Sequence, residues 1–182
     1  MDVNLDAHDL IMSAHYAGII EGVKSVQVNN CQVSNKKIAN QTDFAIHYAG
    51  MLGEVAVSKV LKISIRTDIT IGGDGYIDMS FNGQTIQIKT STHARTPEPR
   101  LLIFTKPDDF ATDWAILCSA QSPSIVRIHG FISRKKFLAN MTEHNFGYGK
   151  RYVVPEKMLA PINKFHEAIK TINMEIVNEL RR

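Results

Sequence analysis

Three polar side chains in one short stretch are of types that can do chemistry together. They are Asp78, Gln87 and Lys89, within "GGDGYIDMSFNGQTIQIKTS" from Gly72 to Ser91. Asn82-Gly83 divides the stretch into two alternating segments, a strong signal for a two-residue hairpin turn. That turn pairs Phe81 with Gln84, Ser80 with Thr85, Met79 with Ile86 and Asp78 with Gln87. Cross-strand partners hold their Cβ atoms about 4.5–5.5 Å apart on one face. Lys89 lies two residues past Gln87 and projects from that same face. Ile77, Met79, Phe81, Ile86 and Ile88 form the other, apolar face. A hard divalent cation such as Mg²⁺ takes oxygen ligands and keeps some of its waters. Asp78 offers a carboxylate oxygen, Gln87 an amide oxygen, and the main-chain carbonyl of Ile88 is next to both. Lys89 adds positive charge for an attacking water or for the charge that builds on phosphate. This is the equipment of a metal-dependent hydrolase.

A hairpin with one solvated face shows the same alternation without any function. Three features favour a site. Gly72, Gly73 and Gly75 precede Asp78 and suit close approach of a ligand. The strands that follow read as buried, which puts the polar face in a crevice. Glu54, on a helix upstream, can fold over the same place. Asp74 in "GGDG" is the alternative metal ligand, but it precedes the paired segment and lacks direct register with Gln87.

The elements that position these residues follow from periodicity. Residues 5–24 have helical spacing, and 25–40 are polar and turn-rich. A second helix, capped by Thr42 or Asn40, runs to about Leu61 and carries Glu54. "KISIRTDITI" then alternates as a strand, ahead of the hairpin. "RLLIFTK", "DWAILCS" and "SIVRIHGFI" read as three further strands, and the apolar runs "LLIF" and "AIL" suggest cover on both faces. "SRKKFLANM" is a short helix, "FGYGKRYVVP" a loop with a short strand, Pro155 opens a short helical piece, and 161–182 is a C-terminal helix. The order implies one α/β domain over 1–182, with an N-terminal helical segment 1–40 and a mixed central sheet flanked by helices.

Composition agrees with a soluble protein. The chain has 182 residues, a formal net charge of +3 and 44% hydrophobic residues, ordinary for a globular domain. No apolar run approaches the roughly 20 residues of a membrane helix. Early acids without a basic n-region argue against a secretory signal, and Cys31 and Cys118 read as reduced thiols. A cytoplasmic location is expected.

The hairpin resembles the PD-(D/E)XK nuclease superfamily, in which an Asp near a turn is followed by an acid or Gln, one apolar residue and Lys. Here these are Asp78 and Gln87-Ile88-Lys89. "GGDGYID…IQIK" is similar to the Mrr-like restriction endonuclease branch, where Gln commonly replaces the acid. "AGMLGEVAVSKVL" resembles the first core helix, with Glu54 as its Glu. The resemblance covers Glu54 to Lys89, about a fifth of the chain. It implies a restriction-endonuclease-like core and a Mg²⁺-dependent deoxyribonuclease, with Mn²⁺ able to substitute. Asp78, Gln87 and the Ile88 carbonyl would hold the metal, Glu54 would support it through water, and Lys89 would be catalytic. Gln87 removes one negative charge from the usual set. Restriction, repair, junction resolution and phage DNA processing all fit such an enzyme. A homodimer is a further expectation, since two strands often need two chains. The competing reading is a non-cleaving DNA-binding or regulatory protein on the same fold.

Other candidates carry less. Arg95, Arg100 and Lys106 could contact DNA phosphates or form an ordinary basic loop. His93 reads as a loop histidine, and Arg134, Lys135 and Lys136 as a solvated helix face. Phe110 and Trp114 read as packing residues rather than base-stacking ones. Ser91 and Ser119 show no convincing His or Asp partner in sequence, which argues against a serine hydrolase.

Overall fold

Thr42 opens the helix that carries Glu54. Its hydroxyl accepts the Ala45 N–H at 3.2 Å, filling one of the amide donors a helix start leaves bare. This helix, α2 (Asp43–Leu61), stops where Lys62 turns left-handed at φ 58° and returns its N–H to the Ser58 carbonyl. α1 (Ala7–Val26) packs against it. Lys59 fastens the pair by bonding Asp6 and Asp9 at the start of α1, at 3.1 and 2.5 Å. The computed structural model describes residues 1–26, 42–66, 77–91, 101–147 and 149–171. None of the described helices is long and apolar enough to cross a membrane.

Among the described residues the central sheet has five strands, in the order β1 (Asp2–Asn4), β6 (Ile125–Ser133), β5 (Trp114–Ser122), β3 (Gln84–Ser91) and β2 (Met79–Phe81). Only β3 and β5 run parallel, so the sheet is mixed, as the sequence implies. A second sheet has the order β4 (Leu101–Phe104), β8 (Lys150–Pro155) and β7 (Thr142–Asn145). α3 (Arg134–Asn140) joins the central sheet to it, with the Ser133 hydroxyl capping its start.

Two apolar clusters separate three layers. On one face of the central sheet, Ile86, Ile88, Trp114, Ile116 and Cys118 pack under Leu52, Val55 and Ala56 of α2. Ile162, Phe165 and Ile169 complete that side. On the other face, Ala115, Leu117 and Ile132 pack under β4, β8 and α3. There Phe104 stacks on Phe110 with centroids 4.9 Å apart, and Phe137 meets both edge-on.

Several expectations need correction. β4 leaves the central sheet for the second one, and Ile103 is 37% exposed, so the "LLIF" run is covered on one face only. β5 is buried on both faces, as its apolar run implies. Residues 63–66 form no strand; the rest of "KISIRTDITI" lies outside the described residues. β1 and β7 are additional. Residues 162–164 make a 3-10 turn ahead of a helical stretch at 165–171, and the remainder of the C-terminal segment lies outside the described residues.

α2 meets β3 at Gly53. A Cβ on Gly53 would fall far inside van der Waals contact of Thr90 Oγ1. Gly53→Ala is therefore expected to destabilise the fold by about 1–3 kcal/mol, as overpacking does. Thermal unfolding checks this, and Gly53→Ala/Thr90→Ala should melt above the single variant.

Candidate active site

The hairpin turn forms as its sequence requires. Asn82 and Gly83 both take positive φ, 49° and 78°, the signature of a tight turn whose twist matches the strands. Met79 pairs with Ile86, Ser80 with Thr85 and Phe81 with Gln84, the register read from the sequence. At Asp78 the pairing departs from that reading. The Asp78 N–H bonds the Ile86 carbonyl at 3.0 Å, although Ile86 already stands opposite Met79. β2 thus begins at Met79, and Asp78 does not sit opposite Gln87 in the ladder.

The Asp78 side chain takes over the vacated ladder position. Its Oδ2 accepts the Ile88 N–H at 2.5 Å. The Asp78 carbonyl accepts the Arg66 N–H at 3.2 Å, which binds the hairpin to the chain leaving α2. The carboxylate is held in one orientation at the edge of β3. Within a strand, the N–H and C=O of one residue project to the same side. The Ile88 carbonyl therefore faces the side where Asp78 lies.

Gln87 and Lys89 share the opposite face from Ile86 and Ile88. In the parallel ladder, Gln87 stands beside Ala115 and Lys89 beside Leu117, both in the cluster under β4 and α3. This is not a solvated face: Gln87 is 2% exposed. Its Oε1 is buried and has no hydrogen-bond partner among the described residues. A buried amide oxygen left unpaired costs about 1–3 kcal/mol. Lys89 is half-buried, with Nζ 5.4 Å from the centre of the Phe104 ring, within range of a cation–π attraction.

Glu54 is placed differently. It is half-buried on α2, which covers the face of β3 that Gln87 and Lys89 do not share. The neighbouring Gly53 lies against Thr90, so Glu54 starts close to the end of β3 just past Lys89. The structure therefore holds Asp78 at the edge of β3, turns Gln87 and Lys89 to one face of that strand, and sets Glu54 on the helix over the other. Among the described residues no three His, Cys, Asp or Glu side chains converge as a metal cluster. Among the described residues, an oxygen set built on Asp78 would draw on the Gln87 amide and main-chain carbonyls. The orphaned Gln87 oxygen fits a hard cation, which is bound by oxygen of this kind.

The remaining candidates resolve unevenly. Asp74, His93, Arg95 and Arg100 lie outside the described residues. Lys106 is exposed, and its main-chain N–H bonds the Asp109 carboxylate, closing the turn that follows. Phe110 and Trp114 are core residues, 0% and 4% exposed, with no face for a base. Burial pushes the Cys118 thiol up, keeping it protonated and inert.

One cluster has no counterpart in the sequence reading. Ser119 Oγ lies 2.7 Å from His129 Nε2 and accepts the Gln121 amide. His129 Nδ1 is 2.9 Å from Glu156 Oε1, an electrostatic contact rather than an aligned hydrogen bond. The residues come together because the β5–β6 register shifts, pairing Leu117 with Gly130 but Cys118 with Ile128 and leaving His129 as the extra residue. Ser119 thus has the histidine partner its sequence context does not reveal. Yet Ser119 is buried and its hydroxyl is already satisfied by His129 and Gln121, so the array reads as a polar tie between sheet and Glu156.

Comparison of the chain with protein-family models and with curated proteins finds no match.

Proposed function

We propose that this chain is a divalent-metal-dependent nuclease that hydrolyses DNA phosphodiester bonds on a restriction-endonuclease-like core. The observation that carries this reading is the buried, unpartnered amide oxygen of Gln87. It sits on the strand and face of Lys89, beside the strand edge where Asp78 is held. Folds rarely leave such an oxygen bare, and a ligand that arrives later supplies its partner. The motif resemblance over Glu54–Lys89 points to the same chemistry.

Asp78, Gln87 and the Ile88 carbonyl would hold the cation, with Glu54 reaching it through water. Bound there, Mg²⁺ or Mn²⁺ would polarise a phosphoryl oxygen and ease deprotonation of water. The Ile88 N–H orients Asp78, as outer hydrogen bonds orient metal-binding carboxylates. Lys89 brings a fixed positive charge to the attacking water or to the phosphate oxygens. Its contact with Phe104 limits where that charge can go. The alternative, a non-cleaving DNA-binding protein, shares the fold and leaves Asp78 its bond to the Ile88 N–H, but gives the buried Gln87 oxygen no ligand.

Incubation with supercoiled and linear plasmid plus Mg²⁺ or Mn²⁺, resolved on a gel, tests the reading. Metal-dependent products that vanish with EDTA are expected. Intact plasmid at high enzyme and saturating metal would contradict it.

A further inference from the structure

The second sheet ends in a strand exposed along its whole length. All four residues of β7, Thr142, Glu143, His144 and Asn145, are exposed, so neither face of the strand is covered. Among the described residues β7 pairs with β8 alone, at the edge of the three-stranded sheet, and past Tyr152, where β4 stops pairing, Lys150 and Arg151 of β8 face only Asn145 and His144, so the sheet ends there as a two-stranded ribbon. Strands lie about 4.8 Å apart, and such a ribbon fits a DNA major groove about 12 Å wide. The β7 side chains are polar donors and acceptors without an apolar member. Thr142, His144 and Asn145 suit base edges better than a protein partner, whose interface core would be apolar, and the Glu143 carboxylate is taken up by Lys150.

Charge points the same way. From Arg134 to Arg151 the sequence holds Arg134, Lys135, Lys136, Lys150 and Arg151 against Glu143 alone. That stretch is net +4 in a chain of formal net charge +3, so the remainder is net −1. Arg134 is committed to the protein, its Nε bonding the Phe110 carbonyl. Lys135 and Lys136 are exposed on α3, which leads directly into β7. Lys150 is exposed beside Glu143 at 2.9 Å, and this pairing pushes its amine up, so it stays charged. The ribbon belongs to the layer that covers Lys89: β4, whose Phe104 meets Lys89, is separated from β7 by β8 alone. Two strand spacings, about 10 Å, thus separate them, within the reach of one duplex.

We infer that the β7–β8 ribbon, with Lys135 and Lys136 at its base, is the arm that holds duplex DNA against the hydrolytic site. The choice of occupant rests on the nuclease reading; the exposure and the charge of the ribbon do not.

The test is fluorescence anisotropy of a labelled 30-base-pair duplex with the full chain in EDTA, across a salt series. Removing one cation that binds a phosphate should lower the log–log salt slope by about one. Lys150→Ala/Arg151→Ala is expected to bind at least tenfold more weakly, with a slope smaller by about two. His144→Ala/Asn145→Ala should weaken binding while leaving the slope intact. Lys164→Ala/Lys170→Ala removes two exposed cations beside the other core cluster and should change nothing. Equal losses in that control, an unchanged slope in Lys150→Ala/Arg151→Ala, or binding to anionic phospholipid vesicles instead of duplex would each overturn the assignment. Wild-type binding without metal-dependent cleavage would sink the nuclease reading and leave the arm standing. Cleavage that is indifferent to the ribbon variants would do the reverse.

Discussion

Lys89→Ala is expected to lower DNA hydrolysis by about 10²–10³-fold, the usual cost of removing one preorganised group that stabilises developing charge. The fold should survive. Lys89 is half-buried, and its cation–π attraction to Phe104 is worth about 1 kcal/mol. Metal affinity should hold or rise slightly, since a positive charge has left the neighbourhood of the cation. Single-turnover cleavage at saturating metal and DNA, together with a melting curve, separates these effects. Near wild-type turnover by a folded variant would remove Lys89 from the chemistry.

Asp78→Asn is expected to weaken Mn²⁺ binding at least 100-fold and to take activity with it. An asparagine oxygen can still accept the Ile88 N–H, so the hairpin edge keeps its geometry. What disappears is the full negative charge of the Asp78 carboxylate. At 4 Å and an effective dielectric of 20, attraction of a unit charge to a divalent ion is about 8 kcal/mol, much of it offset by desolvation. Asp74→Asn should lose less. Calorimetric titration of Mn²⁺ into both variants decides between them. If Asp74→Asn is the one that stops binding metal, the ligand lies inside the glycine run and not after it.

The hairpin was legible because two local signals agree: Asn-Gly at the turn, and alternation on both sides of it. The slip at Asp78 was not. It depends on a side chain competing with its own backbone for the Ile88 N–H, and alternation carries no trace of that contest. The crevice around Gln87 was legible from the buried strands after it, but its cover was not. It comes from Leu102 and Phe104 of β4, Val154 of β8 and Phe137 of α3, which the sequence does not assign to one layer over this face. "LLIF" looked like a central strand because a short apolar run does not say which sheet it joins. The Ser119–His129–Glu156 array needed a strand register and a bulge, neither readable from spacing. The opposite placement of Glu54 also follows from packing, since Gly53 fits α2 to one face of β3.

The central claim is that the amide oxygen of Gln87 binds a divalent cation, and metal affinity of a Gln87 series addresses it most directly. The measurement is calorimetric titration of Mn²⁺ into wild type, Gln87→Glu and Gln87→Ala, with melting curves in EDTA and in excess metal. Glutamate keeps the reach of the side chain and adds a charge. In a site only 2% exposed, an unpaired carboxylate is costly, so Gln87→Glu should melt below wild type without metal. With Mn²⁺ it should recover and bind more tightly than wild type, by about tenfold or more. Gln87→Ala should bind at least tenfold more weakly and gain little stability from the ion. Equal affinity across the three proteins would mean that Gln87 does not touch the metal.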